Sequence, residues 1–163
     1  MAFDCFLKLT DIAGESTDDK HKDWIEILSF QVGASQVSSS GSTGGARSVG
    51  RCNWSDASVT KTCDKASAKL MLALCKGTHI KEALVELCRA TGDKQKYMEY
   101  KMEDVLITNV SSSSHGGSET LPMEMIALNF GKITWTYTQT DHKTGKPSGD
   151  VTANWDLIAN KGG

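Results

Sequence analysis

The chain has 163 residues, 18 Lys and Arg against 20 Asp and Glu, and a formal charge of −2. That is enough chain for one core, and the charge is too balanced for a nucleic-acid partner, which calls for a clustered basic face. No apolar run approaches the ~18 residues that span a bilayer, and the N-terminus lacks the basic start and apolar centre of a secretory signal.

The five cysteines, Cys5, Cys52, Cys63, Cys75 and Cys88, include no close C-x-x-C, so they read as thiols kept in a reducing compartment. The expectation is a protein that folds in the cytosol and reaches the outside, if it does, without the general secretory route.

In chain order, the first predicted element is a strand. Phe6, Lys8 and Thr10 alternate with Leu7 and Leu9 before Gly14-Glu15-Ser16 breaks the run. A second strand spans Ile25 to Val32, on which Ser29 and Gln31 share one face and Phe30 and Val32 the other. The Ser/Gly tract Ser35 to Gly50 reads as a loop inserted between strands, too polar for a core and long enough to suggest disorder or work at an interface.

A strand is expected over Ala57 to Thr62. Asp64 to Gly77 reads as the best helix, with Asp64 as N-cap, Leu70 and Leu74 one turn apart, and Gly77 as the C-terminal stop. This helix is apolar nearly all round and must be covered on more than one side. From His79 to Ala90 the residues fit two templates. Ile80, Ala83, Leu84, Leu87 and Cys88 follow helical spacing, whereas Ala83, Val85 and Leu87 fit a strand more loosely.

Further strands are predicted over Tyr97 to Val110, Met123 to Phe130 and Lys132 to Thr140, with a polar turn from Ser111 to Gly117, a junction at Gly131 and a hairpin loop from Asp141 to Gly149. Strands separated by Gly/Ser turns, with one short helix, make a sandwich or barrel.

Residues with catalytic or ligating potential carry no pattern. His21, His79, His115 and His142 lack metal-ligand spacing and read as solvated or locally hydrogen-bonded side chains, so no metal and no cofactor is assigned. No G-x-S-x-G elbow is present, so no catalytic residue is assigned either. Gly41-Ser42-Thr43-Gly44-Gly45 lacks the Lys-Ser/Thr of a phosphate loop and reads as flexible. Met71, Met98, Met102, Met123 and Met125 with the four tryptophans read as core or subunit contacts.

Particular words in order carry a resemblance. They are Phe3-Asp4-Cys5-Phe6-Leu7-Lys8-Leu9, the Gly14-Glu15-Ser16, Asp19, His21 and Ser29-Phe30 series, Asp64-Lys65-Ala66-Ser67, Tyr97 and Tyr100 with Met102, Phe130-Gly131-Lys132-Ile133, and Trp155-Asp156-Leu157 with Asn160. Over nearly its whole length the chain resembles the haemolysin-coregulated protein family, Hcp, the secreted tube subunits of bacterial type VI secretion systems.

The resemblance implies a mainly β fold over residues 1–163 as a single domain, a compact β-barrel of two packed antiparallel sheets with one short helix on its side. It also implies a strand after Gly77. It implies homohexameric rings that stack into a tube inside a contractile sheath, meet a spike protein and hold effector proteins in the lumen. The protein would then be a transport component with no reaction of its own, cytoplasmic at first and then secreted.

On that reading Ser29 and Gln31 line the lumen. Ser38, Ser39, Ser40, Gly41, Ser42, Thr43, Gly44, Gly45, Ala46 and Arg47 form a ring-stacking loop. Two alternatives stand beside it: an enzyme evolved on the same scaffold, and a monomeric β-barrel binding protein that builds no tube.

Overall fold

The computed structural model describes residues 3–39, 47–117 and 119–163. Strand β1 (Phe3–Leu9) is followed by two short strands, β2 (Ile25–Ile27) and β3 (Ser29–Gln31), then by β4 (Ala34–Ser38), β5 (Val49–Trp54) and β6 (Ala57–Thr62). After the helix α1 (Ser67–Lys76) come β7 (Ile80–Arg89), β8 (Lys96–Ser113), β9 (Met123–Thr140), β10 (Pro147–Asp156) and β11 (Lys161–Gly162). The protein is mainly β, as expected, with nine strands in one antiparallel sheet and β4 with β5 in a second.

The main sheet runs β11-β10-β9-β8-β7-β1-β2, and β9 also carries β6, which carries β3. Among the described residues no ladder closes it into a barrel. The circuit is completed by the chain itself at Leu28, between β2 on β1 and β3 on β6, where the Leu28 N–H donates to the Thr60 carbonyl at 2.7 Å. The single strand expected over Ile25 to Val32 is therefore two strands with different partners. Ile25 and Ile27 are buried, and Leu28 and Ser29 then both face out, so Phe30 and Val32 return inward.

Strands β8 and β9 are longer than the sequence suggests. Ser111 to Ser113 continue β8 instead of opening a turn, and β9 passes through Gly131 without one. At Gly131 the second edge of β9 changes partner, from β6 below (Met123 to Leu128) to β10 above (Lys132 to Thr140). A Cβ on Gly131 would lie 3.3 Å from Asp104 and from Ile158, so the glycine lets the two layers diverge beside packed side chains.

Leu7, Leu9, Ile25, Val59, Leu70, Val85, Met102, Val105, Ile126, Leu128 and Ile133 are among the buried side chains of the core between these layers. His79 to Ala90 is resolved as strand β7, paired with β1 on one edge and β8 on the other. Both of its faces carry buried residues, and this is why its alternation is weak in the sequence.

Helix α1 starts two residues later than expected. Ala66 occupies the N-cap position with no side-chain cap, whereas Asp64 accepts the Ala66 N–H at 2.9 Å and pairs with the Lys61 ammonium at 2.9 Å. Gly77 ends the helix at φ 63°, as its residue type predicts. Leu70 and Ala73 face the core, and Met71, Leu72 and Cys75 are left exposed.

A buried polar network sits at the start of this helix. Lys61 is fully buried, and its ammonium donates to Glu124 at 2.7 Å, the Thr62 carbonyl at 2.9 Å and Ser67 at 3.2 Å.

Candidate functional site

The alternation of β3 decides where its side chains go. Phe30 packs against Tyr100 with ring centroids 5.0 Å apart, so Ser29 and Gln31 face away from the core and are exposed. Register then extends that outward face across four strands. Ser29, Thr60, Met125 and Ser111 form one row, and Gln31, Ser58, Ala127 and Asn109 the next. Thr62, Met123 and Ser113 form a third row beyond β3.

No side chain in these rows is charged. Beside these rows Lys61 of β6 and Glu124 of β9 point the other way and neutralise each other in the core, and the remaining charges of β8 and β9, from Lys96 to Asp104 and at Lys132, lie beyond the rows. The sequence reading found Ser29 and Gln31 on this face and missed the rest. Alternation over Ser58, Thr60 and Thr62 was the available signal. Met123 and Met125, grouped with the methionines read as core or subunit contacts, are 41% and 52% exposed and belong to this surface, not to the core.

The second candidate surface is the hairpin of β4 and β5. The stretch expected to be loop from Ser35 to Gly50 takes in most of β4 and the first residues of β5, which among the described residues pair with each other alone and form an arm. At its base Ser55 donates to the Gly33 carbonyl at 3.0 Å, and Arg51 reaches the Leu157 carbonyl at 2.7 Å.

Ser38 ends β4. Ser39 accepts the Ser48 N–H on its hydroxyl at 3.0 Å, and Arg47 is exposed. Ser40, Gly41, Ser42, Thr43, Gly44, Gly45 and Ala46 lie outside the described residues. The arm carries two large exposed apolar side chains, Val37 and Val49, and the body adds Leu72, Val151 and Ile158.

A third cluster lies on the outer face of β1 and β7. The loop from Gly14 to Trp24 folds over that face, with Gly14 N–H donating to the Asp23 carbonyl at 2.8 Å and Ser16 N–H to the Trp24 carbonyl at 3.0 Å. A Cβ on Gly14 would lie 2.3 Å from the Trp24 carbonyl oxygen, so only glycine lets the loop come this close.

His21, at the end of the loop, is buried and stacks on Phe6 at 4.1 Å, with Trp24 edge-on at 4.8 Å. Its Nδ1 lies 2.7 Å from Asp18 and its Nε2 2.7 Å from Glu86. A hydrogen bond from Lys94, with a second from His21, pulls the Asp18 carboxyl down to about 2. Sequence spacing could not show this cluster, because Glu86 is 65 positions from His21.

A neutral outward strand face, a projecting hairpin and exposed apolar side chains on several elements define a β subunit shaped to pack against other chains. A family model described as the type VI secretion system effector Hcp matches residues 6–137. Protein hcp1 of Pseudomonas aeruginosa is 34% identical over 161 residues, covering 98% of each chain.

Among solved structures, one described as a type six secretion system protein superposes with a TM-score of 0.93 at 37% identity, covering 99% of this chain and 100% of that one. Hcp1 from Salmonella typhimurium gives 0.80 at 30% identity over 99% of each. The chain belongs to the Hcp family of the type VI secretion system.

Proposed function

We propose how this chain works as a type VI secretion tube subunit: six copies close into a ring whose lumen is lined by the outward face of β3, β6, β9 and β8. The uncharged rows on that face carry the reading. Ring symmetry repeats every side chain around the channel, so one charge per subunit would become six facing the same space and would hold or repel a passing protein. Ser, Thr, Asn, Gln and Met give neither effect.

Rings then stack through the β4–β5 arms, with the Ser38 to Arg47 segment at the junction. The stacked tube moves inside the sheath with spike and effector proteins, takes the protein from the cytosol to the outside, and performs no reaction of its own. Residues 1–163 act as one unit.

Light scattering on the purified protein reads the first step. A mass near six times 17.6 kDa is expected, and a mass of one subunit at micromolar concentration overturns the ring. Gln31→Arg should keep the ring mass and abolish co-purification of an effector expressed beside it. Unchanged co-purification overturns the lumen assignment of β3.

A further inference from the structure

The His21 cluster has a geometry that the tube role does not require. Asp18 Oδ2 is held by Lys94 at 2.7 Å, and Glu86 Oε1 lies 3.6 Å from Lys96. The lysines thus occupy the outer carboxylate oxygens, and the inner ones, Asp18 Oδ1 and Glu86 Oε2, are turned to the imidazole. Asp4 and Glu99 complete the charged surroundings, as partners of Lys94 and Lys96. His21 Nδ1 faces Asp18 Oδ1 at 2.7 Å, and Nε2 faces Glu86 Oε2 at 2.7 Å and Cys88 Sγ at 3.9 Å.

We propose that His21 Nε2, Glu86 Oε2 and Cys88 Sγ form a binding site for a zinc-class divalent cation, with Asp18 positioning the imidazole. The three ligand atoms lie within 4.8 Å of one another. Zinc bonds of about 2.1 Å to nitrogen and oxygen and about 2.3 Å to sulfur put tetrahedral neighbours roughly 3.4 Å apart for N and O and roughly 3.6 Å apart for N and S. From the separations here, the carboxylate has to retreat from the nitrogen by about 0.7 Å, the thiol to approach it by about 0.3 Å, and oxygen and sulfur, up to 4.8 Å apart, to close by as much as about 1.2 Å through side-chain rotation.

The mixed N, O and S set selects zinc or cobalt over the hard cations magnesium and calcium. An imidazole whose second nitrogen is held by a carboxylate is the usual outer support of a zinc-bound histidine.

Without a cation, the imidazole bridges two carboxylate oxygens, each at 2.7 Å. Cys88 is fully buried, and its hydrogen-bonding contact is His21. Burial, followed by the Glu86 and Asp18 charges, pushes this thiol up to about 11. Zinc takes the thiolate, so the thiol proton passes to solvent as the cation enters. His21 and Glu86 also line a surface cavity of about 390 Å³, the side from which a cation and a water as fourth ligand would enter, while Cys88 is buried outside its lining.

Cobalt(II) titrated into the purified full-length protein tests this. One equivalent should give tetrahedral d–d absorption and a thiolate-to-cobalt charge-transfer band, both bleached by zinc. Cys88→Ser should lose the charge-transfer band, Cys75→Ser at the exposed thiol should keep it, and Asp18→Asn should weaken binding by roughly 10- to 100-fold.

Absence of the band in the wild type, or its persistence in Cys88→Ser, overturns the site. Far-UV circular dichroism and light scattering on the same samples separate a lost ligand from a lost fold. Neither outcome of the titration bears on the ring.

Discussion

Replacing Lys61 with Met tests whether the buried network at the start of α1 is held by its single cation. The substitution keeps most of the length and volume of the side chain and ends it in an uncharged thioether methyl, one atom short of the ammonium. In the protein that group touches Glu124 at 2.7 Å, Asp64 at 2.9 Å, the Thr62 carbonyl at 2.9 Å and Ser67 at 3.2 Å. Glu124 and Asp64 are 6% and 11% exposed, so two carboxylates are left together with little water to replace the cation.

Breaking one side of a buried ion pair costs about 3–5 kcal/mol. For a chain of this size each kcal/mol lowers the melting temperature by roughly 2–4 °C, so a fall of roughly 6–20 °C is expected. Glu124→Gln is the control. Its amide oxygen still accepts from Lys61 and Ser67, and Asp64 still balances the charge, so about 1 kcal/mol should be lost.

Thermal melts followed by circular dichroism, at one protein concentration and with the assembly mass checked, read both values, because assembly itself adds stability. The reasoning fails if Lys61→Met melts within about 2 °C of the wild type, or if Glu124→Gln is the more damaging change.

Two further expectations concern the two protruding hairpins. Asp141 accepts the backbone N–H of Thr144 at 2.8 Å and of Lys143 at 2.7 Å, and these bonds hold its carboxyl below the usual range. A lowered folded value means the contribution is complete above the unfolded value of about 3.9 and is lost as pH falls through the lower folded one. Amide protection at Lys143 and Thr144 should therefore fall in acid, and Asp141→Asn should remove that pH dependence; a protection profile flat across this range would contradict it. On the other arm, Arg47→Glu should leave rings of unchanged mass and abolish export into the medium, and normal export would sink the stacking role of the β4–β5 hairpin.

How far these surfaces were legible depends on the range over which their determinants act. Alternation within one strand is local, and the β6 boundaries, the outward position of Ser29 and Gln31 and the glycine stop at Gly77 all follow from neighbouring residues. Which strand pairs with which is not local. Gly131 reads as a junction in isolation, yet β9 runs through it because β8 lines one edge from end to end, with a register shift between Ile107 and Asn109, while the other edge passes from β6 to β10.

The helix start was misplaced for a similar reason. Asp64 has the side chain of an N-cap, but Lys61 and Glu124 draw it into a buried network, and Glu124 lies 63 positions from Lys61.

The parity break at Leu28 joins the two scales. A regular strand from Ile25 would put Ile25, Ile27, Ser29 and Gln31 on a single face, and the core would then have to bury Ser29 and Gln31 or expose the isoleucines. Turning both Leu28 and Ser29 outward satisfies β1 with the isoleucines and β6 with Phe30. The same two-residue shift sets Ser29 and Gln31 in register with Thr60, Ser58, Met125 and Ala127. A local irregularity between two three-residue strands thus places Ser29 and Gln31 on an uncharged face that spans four strands.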